Sequence, residues 1–184
     1  MYMEIDPTDY YVLHPRPAYL VVTRKPDGGY NVMAVSWVSP ISEEPPLVAL
    51  AIGKESYTHG LIRETKEFTI NFVGEEHIDL VYKAGTLSGL KVDKWKLLGL
   101  EPIESKVVSV PGIRGCYGFL ECQLEKIVDA GECSLFIARI VAGYVKSDLY
   151  TRYGWDLKKA RILLHLRGRA FILPGKLVLA KKRM

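Results

Sequence analysis

The chain has 184 residues, 48% of them hydrophobic and 25% charged, a composition typical of one folded domain with its own core. The formal net charge is +4, and Lys181, Lys182 and Arg183 at the C-terminus supply three of the positive charges. The rest of the chain is therefore nearly neutral and has no basic stripe interleaved with aromatic residues, which argues against a nucleic-acid partner.

Neither a membrane segment nor a secretion signal is expected. No apolar run approaches the roughly 20 residues that a membrane helix needs, and the N-terminal stretch MYMEIDPTDYYVLHP has acids and prolines but no apolar centre. The cysteines Cys116, Cys122 and Cys133 lack CxxC spacing, and the four histidines lack metal-binding spacing. A cytoplasmic protein with no disulfide framework and no metal site is predicted.

The first predicted element in chain order is a β-hairpin. Residues Ala18–Thr23 are rich in aromatic and β-branched side chains, the tripeptide DGG is a turn signal, and Tyr30–Val38 resumes the strand pattern. The second arm combines polar side chains with Trp37. Exposed polar backbone beside an aromatic ring suits a flat heterocycle that hydrogen-bonds to main-chain groups, although Trp37 could equally be a core residue.

An apolar strand and a short helix follow. Leu47–Ile52 is continuously apolar, as in a strand covered on both faces, and ends at Gly53. A helix is predicted over residues 58–66, with the hydroxyl groups of Ser56, Tyr57 and Thr58 at its start. Because the first helical turn has unpaired backbone N–H groups and a partial positive charge, this position can bind a phosphate. A helix N-cap without any ligand is the alternative interpretation.

A further strand and a second helix are predicted next. Phe68–Val73 reads as a strand, and Glu75–Ala84 reads as a helix that stops at Gly85. His59 and His77, on the two predicted helices, are expected to be solvated. The inward face of the second helix is predicted to carry Ile78, Val81 and Tyr82.

The remainder of the chain is predicted to be mostly β. Strands are expected over Gly118–Asp129, Cys133–Val145 and Ile162–Leu173, where His165 would be a structural residue, and the polar segments 86–96 and 147–160 are expected to be loops with some helix. Many strands and few short helices indicate a mainly β fold with short helices, a barrel rather than a doubly wound sheet. No GxGxxG follows the first strand, so a Rossmann fold is not expected.

Four stretches, in the same order, resemble the flavin reductase-like family, the FMN-binding split barrels that include flavoredoxins and archaeal ferric reductases. They are RPAYLVVT…GGYNVMAVSWVSPIS…PPLVALAIG…SYTHGLIRETKEFTINFV, then KAGTLSGLKVDKW, GFLECQLEKIVDAGECSLFIARIV and ILLHLRGRAFIL. The resemblance covers about residues 12–175. It implies a single split β-barrel domain over residues 1–184, working as a homodimer with FMN at the interface.

The resemblance also implies which residues border the FMN. The strand after the first hairpin turn would line the isoalloxazine ring, partly through backbone amides, and the end of the apolar strand would pass beside the ring and the ribityl chain. The helix start would hold the phosphate, the next strand would close the pocket, and the SG…DKW loop would border the cofactor. The predicted set is Asn31, Met33, Ala34, Val35, Ser36, Trp37, Ala51, Ile52, Gly53, Ser56, Tyr57, Thr58, Asn71, Phe72, Ser88, Gly89, Asp93, Lys94 and Trp95.

One position departs from the family pattern. Many relatives have Gly-Asp-His after the turn between the long strands, whereas this chain has Gly131-Glu132-Cys133. Cys133 is either a small apolar residue or a replacement that alters how a nicotinamide is placed. In the loop, Asp93 and Lys94 could instead form an exposed ion pair.

The resemblance implies an FMN-dependent oxidoreductase that takes hydride from NADH or NADPH and passes electrons to free flavin, a ferric chelate or a partner protein. Since the cofactor supplies this chemistry, no catalytic side chain is assigned. Two alternatives stay open: an electron carrier that holds FMN without oxidising a nicotinamide directly, and a binding barrel without a cofactor.

Overall fold

The computed structural model describes residues 1–181, and its secondary structure is mainly β with short helices. The strands are β1 (Arg16–Pro17), β2 (Tyr19–Arg24), β3 (Tyr30–Val35), β4 (Val38–Ser42), β5 (Leu47–Gly53), β6 (Glu67–Phe72), β7 (Pro102–Ile103), β8 (Gly112–Ile113), β9 (Gly118–Ala130), β10 (Cys133–Val145), β11 (Tyr150–Thr151), β12 (Gly154–Trp155), β13 (Leu164–Arg167) and β14 (Ala170–Ile172). The helices are α1 (Tyr57–Thr65), α2 (Ile78–Thr86) and α3 (Lys94–Leu97), with 3₁₀ helices at Tyr10–Leu13 and Glu75–His77.

Seven strands form the central antiparallel sheet in the order β3-β2-β6-β9-β10-β5-β4. Strands β3 and β4 lie at opposite edges of this sheet, yet only Ser36 and Trp37 separate them in the chain. The two edges must therefore lie close together, so the sheet rolls into a barrel with a seam between β3 and β4. The predicted continuous strand Tyr30–Val38 is wrong at this point, because the chain changes edge there.

Two apolar clusters occupy the two faces of the sheet. The inner cluster includes Val21, Phe68 and Phe136 of the sheet together with Ile62 of α1. The outer cluster joins β2 and β3 to α2, with Val81 of α2 among its buried members. Burial of both faces agrees with the almost continuous apolarity of these strands.

The buried face of α2 differs from the prediction. Val81 is buried, but Ile78 and Tyr82 are 39% and 36% exposed, and Ala84 takes the inward position instead. The helix also continues through Gly85 to Thr86. The physical reason lies in the preceding 3₁₀ turn, which has three residues per turn and so rotates the faces relative to an α-helix that starts at Glu75.

The C-terminal part of the barrel contains hairpins where one strand or a helix was expected. The predicted strand Ile162–Leu173 is the hairpin β13–β14, which turns at Gly168 with φ +54°, a conformation that glycine adopts readily. Strand β13 also pairs with β1 near the N-terminus. Residues 147–160 contain the small hairpin β11–β12 rather than helix.

Residues 1–181 can be compared with the expectations on membrane helices, disulfides and metal sites. None of the helices there is both long enough and apolar enough to cross a membrane. The thiols of Cys116 and Cys122 are buried and Cys133 is half-buried, all three unpaired. Over the same residues, no group of three or more His, Cys, Asp or Glu side chains is arranged to hold a metal ion.

Candidate functional site

Strand β3 has one open side. It lies at the edge of the central sheet and pairs only with β2 among the described strands, so its outward N–H and C=O groups have no strand partner there. Asn31 lies at one end of the strand and Val35 at the other. An open row of main-chain donors and acceptors is the arrangement that a flat heterocycle could use.

The start of α1 lies beside this strand. Ser56 is the N-cap residue, and its Oγ accepts a hydrogen bond from the backbone N–H of His59 at 3.2 Å. The N–H groups of Tyr57 and Thr58, in the first turn, donate to no acceptor within residues 1–181. The predicted N-cap is therefore present, and two donors of the helix start are left for an anion.

The side chain of Asn31 joins β3 to this helix start. Asn31 is 3% exposed, and its Nδ2 donates to Thr58 Oγ1 at 2.9 Å and to Thr23 Oγ1 at 3.4 Å. Because Thr58 Oγ1 accepts from Asn31, its own hydroxyl proton can be donated in another direction. The polar strand and the hydroxyl-rich helix start, which the resemblance assigns to one cofactor, form one hydrogen-bonded unit.

The loop between α2 and α3 reaches the same unit at Gly89. A Cβ atom at Gly89 would overlap Asn31 Oδ1 and would lie 3.1 Å from Tyr57 Cδ1. Ser88, the preceding residue, is exposed, and its carbonyl oxygen accepts the N–H groups of Lys91 and Val92. The glycine of the predicted SG pair is thus needed for the close approach of the loop to β3 and α1.

Lys94, in the same loop region, is a buried cation. It is 4% exposed, and its Nζ donates to the carbonyl oxygen of Ala84 in the last turn of α2 at 2.8 Å. Burial lowers the pKa of Lys94 to about 8. Within residues 1–181 no carboxylate lies within 4.0 Å of this ammonium group, so its charge is not neutralised.

Asp93 and Lys94 do not form the ion pair that was the alternative interpretation of this loop. Asp93 Oδ2 instead lies 3.3 Å from Lys25 Nζ, and Asp93 Oδ1 caps α3 by accepting the backbone N–H of Lys96. The adjacent Trp95 packs its ring 5.1 Å from that of Tyr30, against the outer face of the barrel. Asp93 and Trp95 therefore hold the loop in place.

A cavity of about 400 Å³ lies at the other end of β3. It is bounded by the end of β3, by α2 and by the β13–β14 hairpin. Ala34, Val35 and Ser36 of the predicted set form one wall. The volume is in the range of pockets that take a small ligand.

The remaining members of the predicted set near the seam face other neighbours. Trp37 and Ala51 line a separate cavity of about 180 Å³ together with Arg16, and the ring of Trp37 lies edge-on to Tyr10 at 5.1 Å. The side chains of Met33 and Ile52 pack in the inner cluster, which leaves only their backbone for a ligand. Gly53 pairs with Cys133 at the start of β10.

Asn71 and Phe72 lie two strands away from β3. Asn71 is fully buried, and its Nδ2 donates to the carbonyl oxygen of Leu20 while its Oδ1 accepts the N–H of Ile113. The ring of Phe72 packs at 5.3 Å from Trp155. Neither residue lines the 400 Å³ cavity, so their predicted contact with a cofactor stays a prediction without support from the arrangement.

Two histidines expected to be solvated are held inside. His59 is 6% exposed, and its Nε2 lies 2.9 Å from Ser134 Oγ of β10. His77 Nδ1 accepts the N–H of Gly74 at 3.1 Å. Burial lowers the pKa of both imidazoles. Both predictions of solvation are wrong because segments distant in the chain cover the rings: Ser134 of β10 contacts His59, and the ring of Tyr117 lies 5.8 Å from that of His77.

Sequence reasoning missed several residues of the 400 Å³ cavity: Tyr11, Tyr82, His165 and Arg169. The sequence pattern predicts Tyr82 on the buried face of its helix and His165 as a structural residue. Its ring does have structural contacts, since Nε2 lies 3.3 Å from the carbonyl oxygen of Gly168. The only local signal was the RGR sequence at the hairpin turn.

Comparisons with known proteins agree with this architecture. A protein of Archaeoglobus fulgidus is 44% identical over 131 residues, which is 70% of this chain and 72% of that protein. The flavoredoxin of Methanosarcina acetivorans superposes with a TM-score of 0.88 at 26% identity, over 98% of this chain and 95% of that one. The FMN-binding protein of Thermus thermophilus has a TM-score of 0.85 at 25% identity, over 98% and 99%.

The family model of the flavin reductase like domain matches residues 11–173. This span includes all the elements that build the β3–α1 unit and the 400 Å³ cavity. The predicted mainly β split-barrel fold and the predicted family are both confirmed. The chain belongs to the flavin reductase-like family.

Proposed function

We propose that the protein is an FMN-binding oxidoreductase, an NAD(P)H-dependent flavin or ferric reductase. The observation that carries this proposal is the junction of Asn31, Thr58 and Gly89 at one end of an open strand edge, with a 400 Å³ cavity at the other end. The similarity to solved structures named as flavoredoxins and as an FMN-binding protein supports FMN as the ligand.

The residues present fit a phosphate at one end and a flat ring at the other. The free N–H groups of Tyr57 and Thr58 would hold the phosphate. Asn31 and Ala34 are three residues apart on β3, about 10 Å in an extended strand, so a ribityl chain could run along the open edge. Ala34–Ser36 would then border the ring.

FMN, when bound, supplies the hydride-accepting chemistry, with NADH or NADPH as the donor. The role of the protein is to orient the ring and to stabilise the negative charge that develops on it. Main-chain N–H groups on the open edge of β3 and the uncompensated ammonium group of Lys94 are the donors available for this. The acceptor would be free flavin, a ferric chelate or a partner protein.

A second candidate is an electron carrier of the flavoredoxin type that does not oxidise a nicotinamide directly. It is favoured by Cys133, which stands where many relatives have a histidine and pairs with Gly53 beside the predicted ribityl site. The flavoredoxin of Desulfovibrio vulgaris (Miyazaki F) matches 97% of this chain with a TM-score of 0.85. Both candidates need FMN, and they differ in the electron donor.

A homodimer is part of the proposal. Apolar side chains remain exposed along the long hairpin β9–β10, for example Val128 at 36% and Val145 at 40%. The cavity beside Trp37 is also open at the seam. A second copy is the commonest way to cover such a face. A sedimentation mass of one chain at micromolar concentration would contradict it.

The visible spectrum of the purified protein tests the function. We expect a yellow complex with FMN at one equivalent per chain, whose colour bleaches when NADH or NADPH is added without oxygen. A yellow protein that neither nucleotide bleaches would support the carrier and contradict the reductase. A colourless protein that takes up no added FMN would contradict both candidates.

Replacing Lys94 with methionine should remove a pH dependence of FMN binding. Because the pKa of Lys94 is about 8, its ammonium form is lost as the pH rises through that value. Affinity for the anionic cofactor should therefore fall by about tenfold between pH 7 and pH 9 in the wild type and stay flat in Lys94→Met. The measurement is the dissociation constant from fluorescence titration.

Lys96→Met is the matched control, since the Lys96 side chain is 85% exposed on the same short helix. It should keep the wild-type pH profile. If FMN affinity changes with pH equally in Lys94→Met and in the wild type, the buried ammonium group does not face the cofactor.

A further inference from the structure

Two arginine–tyrosine pairs stand at the 400 Å³ cavity. Arg167 Cζ lies 4.3 Å from the ring centre of Tyr11, and Arg169 Cζ lies 5.9 Å from that of Tyr82. Both arginines flank Gly168 in the β13–β14 turn. Tyr11, Tyr82 and Arg169 line the cavity directly. We call these four side chains the arginine–tyrosine rim.

The rim is positively charged without compensation. None of the residues that line the cavity is acidic. Among the described residues, no carboxylate lies within 4.0 Å of either guanidinium group. Both arginines are exposed, so neither is held in the core by a structural partner. A cluster of two cations with no acidic neighbour favours an anionic ligand.

The position of the turn is well defined. His165 Nε2 lies 3.3 Å from the carbonyl oxygen of Gly168, and the ring of His165 packs at 5.2 Å from Phe171. His14 Nδ1 lies 3.2 Å from the carbonyl oxygen of His165, which ties the hairpin to the N-terminal segment that carries Tyr11. These contacts hold the turn that carries both arginines against the segment that carries Tyr11, as a preorganised binding site requires.

The chemistry of the rim specifies more than a charge. Guanidinium groups bind phosphate oxygens with two parallel hydrogen bonds, and they stack on flat rings. The tyrosines add aromatic faces next to the guanidinium groups. On the other side of the cavity are Ala34 and Ser36, where the proposed function places the isoalloxazine.

We propose that the arginine–tyrosine rim binds the phosphate groups of a second nucleotide, whose planar ring enters the cavity towards Ala34–Ser36. The second nucleotide is the reaction partner of the bound FMN, either a nicotinamide dinucleotide as donor or a free flavin mononucleotide as acceptor. This inference rests on the proposed function and adds the residues that select a phosphorylated partner.

The test uses Arg167→Gln, Arg169→Gln and the double variant, each loaded with one equivalent of FMN. Calorimetric titration with NAD⁺ and NADP⁺, which cannot reduce the flavin, and with further FMN measures binding of the second nucleotide. Each substitution should weaken the binding of one of these nucleotides by about tenfold, and the double variant by more. Raising the salt concentration should weaken binding less in the double variant than in the wild type.

Arg152→Gln is the matched control. Arg152 also stands over a tyrosine, with its Cζ 4.5 Å from the ring centre of Tyr153, but it belongs to the β11–β12 hairpin and does not line the cavity. This variant should bind the second nucleotide as the wild type does. Equal losses in Arg152→Gln and the rim variants would overturn the proposal.

The choice of ligand distinguishes the two possible nucleotides, a nicotinamide dinucleotide and a free flavin mononucleotide. If the rim variants lose affinity only for the dinucleotides, the rim is the site of the electron donor. If they lose affinity only for further FMN, the rim is the site of the electron acceptor. Riboflavin has no phosphate, so its binding should be the same in the wild type and the variants. Wild-type affinities in the double variant, or a loss confined to the first equivalent of FMN, would overturn the proposal.

Failure of the proposed function can be recognised separately. If the chain takes up no FMN, titration of the flavin-free protein with NADP⁺, followed by tryptophan fluorescence, still measures the rim. A loss of affinity in the rim variants there would support the phosphate site although the FMN function had failed. If the rim variants bind NADP⁺ there as tightly as the wild type, the proposal for the rim is overturned as well.

Discussion

Replacing Gly89 with alanine is expected to lower the affinity for FMN by roughly tenfold to a hundredfold while the fold is retained. The added methyl group would overlap Asn31 Oδ1 and press on Tyr57. Asn31 cannot easily yield, since its Nδ2 is bonded to Thr58 and Thr23 inside the protein. The exposed loop would move away in the free protein, and its return on binding would cost about 1–3 kcal/mol.

Gly60→Ala is the control for this variant. A Cβ atom at Gly60 has nothing within 4 Å, and the residue lies inside α1, where alanine is favoured over glycine by up to about 1 kcal/mol. This variant should bind FMN like the wild type and unfold at a slightly higher temperature. If Gly89→Ala also keeps wild-type affinity by fluorescence titration, the loop does not contribute to the phosphate site.

The helix start and the polar strand could be predicted from the sequence because their signals are local. Ser56 caps α1 as the SYT sequence indicated, and Asn31 lies on the strand after the DGG turn. Their meeting could not be predicted from spacing alone. It depends on the hydrogen bond between Asn31 and Thr58, 27 positions apart in the chain.

The misassigned elements share a physical cause. The strand break at Ser36 and Trp37 comes from rolling the sheet into a barrel, and no local propensity encodes that step. Likewise, the burial of His59 depends on Ser134, which β10 brings from 75 positions away. Tertiary contacts override local patterns at both places.

The arginine–tyrosine rim is the extreme case. It unites the N-terminal 3₁₀ helix, α2 and the turn of the β13–β14 hairpin, three segments that are far apart in the chain. Each segment alone looks like ordinary surface. The pairing of β1 with β13 and the contact of His14 with the carbonyl oxygen of His165 bring the N-terminal segment to the C-terminal hairpin.

Replacing Glu121 with glutamine is expected to destabilise the fold by roughly 2–4 kcal/mol at pH 7. Glu121 is fully buried on β9, and its carboxylate accepts the backbone N–H groups of Lys106, Val107 and Val108 at 2.7–2.9 Å. An amide would turn one acceptor into a donor that faces these N–H groups, which leaves buried donors without partners.

The stabilising role of Glu121 can also be tested through the pH dependence of the free energy of unfolding. Burial raises the pKa of Glu121, but the hydrogen bonds from the Lys106, Val108 and Val107 amides outweigh burial, and the net pKa is lowered. A lowered folded-state pKa stabilises the fold above the ordinary glutamate value of about 4.3 and loses that stabilisation as the pH falls below it. Lowering the pH from 5 to 3 should therefore reduce the free energy of unfolding, measured with urea, more in the wild type than in Glu121→Gln.

Glu125→Gln, on the same strand, separates this effect from a general loss of charge. The Glu125 carboxylate bonds to Arg139 at the surface, at 2.6 Å from Nε, and such pairs contribute about 0–1 kcal/mol. Val108 and Val110, in the loop that Glu121 holds, pack in the outer cluster with Leu20 and Val32 of the strands behind the proposed FMN site. If both glutamine variants unfold at the same urea concentration, apolar packing alone supports that side of β3.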